Sequence, residues 1–241
     1  MSAQPEPLAP PGEPATVEFP EPLADGVVVE CARFGTPEFD AAFEVETRLF
    51  HAVGYVESLE HHRESYEAYQ ASSRFYIVRV GGEIAGVLRA IEHSEAGFKT
   101  AKDFPLFDGA LDGVDPSKIL EIGTVAVEPD FHQQGIRYAE RLYHAAVVES
   151  LDPNVLRDGN QNPVSEGPQT HWIASIDEGL LRKVYNPYYH FRFWDIGPTV
   201  FYLGSPTTPV MMDCSRTMQE MREFDDETGV YSRVILGNFP D

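Results

Sequence analysis

The residues best suited to chemistry lie in one stretch, Leu120-Glu121-Ile122-Gly123-Thr124-Val125-Ala126-Val127-Glu128-Pro129-Asp130-Phe131-His132-Gln133-Gln134-Gly135-Ile136-Arg137-Tyr138. It reads as a strand, a tight polar loop with one glycine, and the start of an amphipathic helix. Such a junction aims backbone N–H groups and the positive end of a helix dipole at one point, an anion site made by the main chain. The amides of Gln133, Gln134, Gly135, Ile136 and Arg137 are the donors in this reading. Gly135 lets an anion approach without a Cβ clash. An ordinary strand–turn–helix with a turn glycine is the competing reading, because one glycine is a weak signal. Glu121 puts a carboxylate on the strand that leads into the loop.

Other candidates carry less. Glu60-His61-His62-Arg63-Glu64 has the residue types of a metal site, but adjacent histidines leave a helix on different sides and no HExxH occurs. A solvated helix face is expected there. Cys31 and Cys214 stand far apart, outside any CxxC or Cys/His cluster. No metal is expected. Met211-Met212 and Trp172 read as core.

The elements that must position these groups follow from patterning. Residues 1–25 are rich in Pro, Glu and Ala and read as a disordered or loosely docked tail. Residues 26–241 read as a single domain. Val27 to Phe34 predicts a strand, Pro37 to His51 a helix with Phe39, Ala42, Phe43, Leu49 and Phe50 at helical spacing, and Glu57 to Gln70 a second helix. Phe75 to Val80, Gly81-Gly82 and Ile84 to Ile91 form a hairpin signal. Residues 94–117 read as a long loop, a candidate substrate lid. After the strand Ile119 to Val127 come a helix from Tyr138 to Ser150, a polar turn-rich segment over 151–169, and a strand from His171 to Ile176. A short helix from Leu180 to Tyr185, one long or two short strands over Phe191 to Leu203, a strand at Val210 to Met212, a helix from Ser215 to Phe224 and a final strand from Val230 to Leu236 complete the order. A mixed α/β sheet with helices on both faces fits it.

The formal net charge is −21 over 241 residues. Nucleic acid and anionic membrane surfaces are therefore poor partners. No secretory h-region or spanning apolar run is visible, so no membrane span and a reducing, cytoplasmic location are expected.

The strand–loop–helix, with Val-x-Val-x-Pro before the loop, resembles the acyl-CoA-binding motif of the GNAT superfamily of N-acyltransferases. That family's loop reads Arg/Gln-x-x-Gly-x-Gly/Ala. Here the middle glycine, Gly135, matches, while His132 and Arg137 occupy the first and last positions. Within the superfamily, the chain resembles the acyl-homoserine lactone synthases and long-chain N-acyl amino acid synthases. The pieces that do so are Phe50-x-x-x-Gly54-Tyr55-Val56, Glu64-x-x-Glu67, Gly86 to Ile91, Glu121 to Val127, Gly197-Pro198 and Tyr202-x-Gly204. The lactone synthases usually have Asp-x-x-Asp in the second piece, and an arginine where this chain has Thr124. That departure speaks against lactone synthesis and its adenosyl-methionine substrate.

The resemblance implies a mostly antiparallel twisted sheet with a splayed central strand pair. It implies acyl transfer from acetyl-CoA, a longer acyl-CoA or an acyl carrier protein to a small-molecule primary amine, possibly an amino acid, without a covalent enzyme intermediate. Val125 and Val127 would pair with the pantetheine amides, Gly123 would mark a bulge, and the loop amides would hold the pyrophosphate. Glu121 would take the ammonium proton, or else sit in a structural ion pair. Tyr185 would protonate the leaving thiolate, with Tyr188 and Tyr189 as rivals and aromatic packing as the alternative. Arg89 would bind an acceptor carboxylate, or else pair with Glu121. Carrier proteins are acidic, so docking one needs a basic patch, for which Arg137, Arg141 and Arg157 are available. The overall acidity tips the donor toward CoA. A catalytically silent acyl-CoA-binding protein of the same fold is the alternative.

Overall fold

In a computed structural model, which describes residues 15–16, 26–151 and 168–239, the alternating segments pair into one nine-stranded sheet. The strands are β1 (Ala15–Thr16), β2 (Val27–Arg33), β3 (Ser73–Val80), β4 (Glu83–Glu92), β5 (Ile119–Val127), β6 (His171–Asp177), β7 (Trp194–Asp195), β8 (Val200–Tyr202) and β9 (Ser205–Asp213). Their order is β1-β2-β3-β4-β5-β6-β9-β7, with β8 also on β9. Every neighbouring pair is antiparallel except β5 and β6.

Local sequence explains the main elements. Gly81 and Gly82 both take positive φ, +59° and +91°, which a two-residue hairpin turn between β3 and β4 demands. Helix α1 (Pro37–Ala52) begins with Thr36 capping the Phe39 amide and Pro37 in the first turn. Ser58 caps α2 (Leu59–Tyr66), which runs into a tighter turn over Glu67–Ser72. The segment expected as an unstructured lid contains α3 (Lys99–Asp103). It is docked by Phe98 and Phe104, both buried, and by the Phe107 amide on the Ile196 carbonyl. Gly197 is needed there, since a Cβ would meet the Pro105 carbonyl oxygen at 2.2 Å.

The sheet has a core on each face. Tyr76, Val78, Leu88 and Ala90 face α4 (Gly135–Leu151) in the larger cluster, which also takes Trp172, Val210 and Met212. Phe75, Ile77 and Val87 face α1 through Phe39, Ala42 and Phe43. After β6 come α5 (Glu178–Leu180) and a wider helical turn, Leu181–Tyr185. After β9 come α6 (Cys214–Glu223) and α7 (Asp225–Thr228).

One expectation needs correction. The segment Val230 to Leu236 is not a strand: Tyr231–Ile235 is a helical turn. Val230 and Val234, four apart, both bury fully in the α4 core, and Arg233 holds the buried Glu140 of α4 at 2.7 and 2.9 Å. The apolar spacing there is helical, and in a seven-residue run it passes for β content. Within the N-terminal tail, Ala15–Thr16 pairs with Cys31 and Glu30 of β2. The rest of residues 1–25, and 152–167 of the polar segment with Arg157, lie outside the described residues.

Candidate active site

The site is made by two strands that part. β5 and β6 pair from Ile119/His171 to Ile122/Ala174 and no further. Beyond that point β5 has no further pairing with β6, so its edge from Gly123 to Ala126 is open on the β6 side. Opposite β4 the register slips: Ala90 faces Ile122 and Arg89 faces Thr124, leaving Gly123 as an extra residue. This is the bulge expected at Gly123.

A cavity of about 210 Å³ opens at the split. Thr124 and Val125 of β5, Trp172 and Ala174 of β6, Tyr143 of α4 and Tyr185 line it together with α2 and α3. Its far wall is apolar, from Ile176, Leu180, Phe191, Phe193 and Leu203. Leu203 is held at φ +46° beside Gly204 at +85°, in the two-residue turn joining Tyr202 to Ser205. A leucine in that conformation is strained by about 1–2 kcal/mol. Strain of this kind clusters at functional sites.

Of the expected catalytic pair, Tyr185 lines the cavity on the wide turn Leu181–Tyr185, a geometry common at functional sites. The Tyr143 hydroxyl donates to the Tyr185 oxygen at 2.8 Å, which leaves the Tyr185 proton free to be given elsewhere. Burial pushes the Tyr185 phenol above its ordinary value, against the Tyr143 hydrogen bond, and so keeps it protonated. Its rivals are elsewhere: Tyr189 is buried in the α4 core, and Tyr188 accepts from Arg233 at 3.2 Å.

Glu121 also lines the cavity, but both its oxygens are engaged. One accepts the Lys99 amide at 2.7 Å; the other accepts the Thr100 amide at 2.7 Å and the Thr100 hydroxyl at 2.8 Å. The carboxylate thus caps α3. Burial raises its pKa, and these hydrogen bonds oppose the rise.

Arg89 does not reach the cavity. It is fully buried and grips Glu46 of α1, with Nε at 3.0 Å from Oε1 and Nη2 on Oε2. Its guanidinium lies over Tyr66 at 4.0 Å. The expected pairing with Glu121 is replaced by one with Glu46.

Glu46 is the feature that sequence reasoning missed. Besides Arg89, it accepts from the Thr124 hydroxyl and from His62 Nε2 at 3.1 Å. Burial alone would raise its carboxyl; the Arg89 charge and the hydrogen bonds from His62 and Arg89 overcome that and hold it at about 2. The signal was present: Glu46 follows Phe39, Ala42 and Phe43 at helical spacing, a charge on the buried stripe of α1. His62 is likewise not on a solvated face. It shares the inner face of α2 with Tyr66, four residues on, and both are buried, while His61 is exposed.

Val125 lines the cavity, and Val127 lies beside Gly135 at the start of α4. A tight turn over Pro129–Gln134 leads directly into α4, with Ile136 and Arg137 exposed. Gly135 has no positive φ, and a Cβ there would meet only Val127 at 3.8 Å. The fold itself does not require glycine at that position. Arg141, by contrast, is buried over the Phe239 ring and is not part of a basic surface. Among the described residues no cluster of His, Cys, Asp and Glu could hold a metal ion, and no helix is long and apolar enough to cross a membrane.

No family model and no curated protein matches the chain. Solved structures do. FeeM, an N-acyl amino acid synthase from uncultured soil microbes, has a TM-score of 0.57 at 15% identity over 80% of this chain and 94% of its own. BjaI, a CoA-dependent acyl-homoserine lactone synthase solved with SAM and isopentyl-CoA, has a TM-score of 0.54 at 15% identity over 80% of each chain. With the split strand pair and the bulge in place, these likenesses show that the chain has the GNAT fold, in the form that FeeM and BjaI share.

Proposed function

We propose that the chain is an N-acyltransferase that moves an acyl group from an acyl-CoA thioester directly to the primary amine of a small metabolite, an amino acid being the leading class. The observation that carries this reading is the open β5 edge facing Tyr185 across a cavity with apolar walls. The open stretch from Gly123 to Ala126 offers backbone groups to the pantetheine amides, as an added strand would. The first amides of α4, from Gly135 to Arg137, and those of Gln133 and Gln134 face the pyrophosphate, and Gly135 supplies the room that no protein contact uses. Arg137, exposed beside them, adds positive charge.

The amine nitrogen attacks the thioester carbon, the C–S bond breaks, and Tyr185 gives its proton to the departing sulfur while Tyr143 holds its oxygen. Glu121 fixes α3 as a wall of the cavity. Direct transfer is favoured because Cys31 and Cys214 are buried away from the cavity, where burial pushes both thiols up to about 12. A donor chain longer than acetyl suits the space, since a cavity of about 150 Å³ already holds benzene. CoA is preferred to a carrier protein because the chain is strongly acidic and Arg141 is buried.

The test is mass spectrometry after incubation with acetyl-CoA, long-chain acyl-CoA or acylated carrier protein and a panel of amines. An N-acylated product from a CoA donor is expected; no product with any donor would leave only a silent binding protein. Gly135→Val is expected to weaken CoA binding about 10–100-fold, the equivalent of one charge-assisted hydrogen bond. Unaltered affinity would refute the loop assignment.

A further inference from the structure

The proposed reaction needs a group to take the proton of the attacking amine, and the carboxylate on the catalytic strand already serves α3 through both oxygens. We propose that His62, oriented by Glu46, is that base, acting through its Nδ1 on the amine in the cavity. This rests on the acyl-transfer reading above and adds to it the acceptor side of the site.

Geometry fixes which nitrogen is available. A carboxylate offers about four acceptor positions. Those of Glu46 are filled by Arg89 Nε and the Thr124 hydroxyl on Oε1, and by Arg89 Nη2 and His62 Nε2 on Oε2. The carboxylate is held ionised, so it donates nothing and all four partners must donate to it. His62 therefore donates Nε2–H to Glu46, and Nδ1 is the ring nitrogen left to face substrate. No described residue hydrogen-bonds Nδ1, and His62 is a cavity-lining residue.

Position follows from the same carboxylate. Thr124, at the split, and His62 hang on one Glu46 side chain, so a single carboxylate bridges the imidazole to the strand proposed to carry the thioester. Phe43, Phe50 and Tyr66 pack around its ring, with centroids at 5.6, 5.6 and 5.0 Å, and fix its plane. Arg89 completes the buried cluster behind Glu46 and neutralises it. The arrangement is a carboxylate–imidazole pair opening onto substrate space, with a proton donor, Tyr185, in the same cavity. In the proposed step Nδ1 takes one amine proton as the N–C bond forms, and Tyr185 gives one to sulfur as the C–S bond breaks.

His62→Gln keeps a donor toward Glu46 and removes the base. It is expected to lower kcat about 10²–10⁴-fold, with the KM for the acyl-CoA donor within about twofold, and exogenous imidazole is expected to restore turnover to His62→Ala. A His62→Gln kcat within about threefold of wild type, or a His62→Ala protein that imidazole does not restore, overturns the proposal. Wild-type protein without turnover on any donor sinks the acyl-transfer reading instead, so the two failures differ. A ¹⁵N–¹H correlation across the His62 ring of the wild-type protein needs neither turnover nor a variant. A proton on Nε2 alone supports the assignment, and a neutral ring protonated on Nδ1 overturns it.

Discussion

Replacing Glu46 by Gln tests the buried cluster directly. The amide keeps the volume but loses the charge, and in either orientation its NH2 faces an Arg89 N–H, which can only donate. Removing one partner of a buried ion pair costs about 3–5 kcal/mol, because the other charge stays buried without compensation. The acid dependence gives a second, independent number. The folded carboxyl sits at about 2 against an ordinary 4.5, which is about 3 kcal/mol of stability. Because the folded value is the lower one, this contribution is complete above pH 4.5 and is lost as pH falls toward 2. At about pH 3, roughly 2 kcal/mol of it is gone. Glu121 and Glu149, whose pKa values burial raises, act with the opposite sign but are common to both proteins and cancel in the difference. Urea unfolding followed by circular dichroism, at pH 7 and about pH 3, reads the deficit of Glu46→Gln at each. A deficit below about 1 kcal/mol at pH 7, or one that does not shrink by about 2 kcal/mol on acidification, would refute the reasoning.

Three further outcomes are expected. Tyr185→Phe should lower kcat about 10²–10⁴-fold with donor affinity intact, read by release of free CoA thiol; a loss under about threefold would remove it as the acid. Glu121→Gln turns an acceptor into a donor against the Lys99 or Thr100 amide and should destabilise the fold by about 1–3 kcal/mol. Hydrogen exchange at those two amides should speed up, and unchanged exchange would end the anchoring role. Leu203→Asn provides the Asn-Gly pair that this turn prefers and should stabilise by about 1 kcal/mol in thermal unfolding. The same change should weaken use of longer acyl donors, and a variant of equal stability and unchanged donor preference would mean that Leu203 is neither strained nor selective.

What could be read in the chain follows the range of the forces involved. The β3–β4 hairpin, α1 and the strand–loop–helix are set by neighbours in sequence, and Gly81-Gly82, Thr36-Pro37 and Val125-x-Val127-x-Pro129 announce them. The tyrosine at 185 was separable from Tyr188 and Tyr189 only by tertiary packing, since all three sit within five residues. Arg89 was rightly suspected of an acidic partner, yet Glu121 and Glu46 are equally plausible until α1 is docked on the sheet. His62 reads as part of a solvated helix face because adjacent histidines leave a helix on different sides and no HExxH occurs; the carboxylate that gives it meaning lies sixteen residues away. Val230 to Leu236 shows the opposite failure, where a short apolar run has a period that only α4 can decide.

The extra residue in β5 changes the strand's reading frame. Before Gly123, odd-numbered side chains face the layer of α1 and α3: Ile119 packs with Phe98, and Glu121 caps α3. After it, even-numbered ones do: Thr124 reaches Glu46, and Ala126 packs in the α1 cluster, while Val125 and Val127 turn to the α4 core. Glycine is favoured at the switch because a Cβ would press on Arg89 Cδ and Ile91 Cδ1, each 3.3 Å away. Were Gly123 instead paired regularly opposite Arg89, the Thr124 hydroxyl would turn into the α4 hydrocarbon and Val125 would be set against Glu46 in place of a donor. An ungapped comparison with a relative lacking the extra residue would align every later position of β5 to the wrong face, so the tally of matching residues would fall although the architecture is the same.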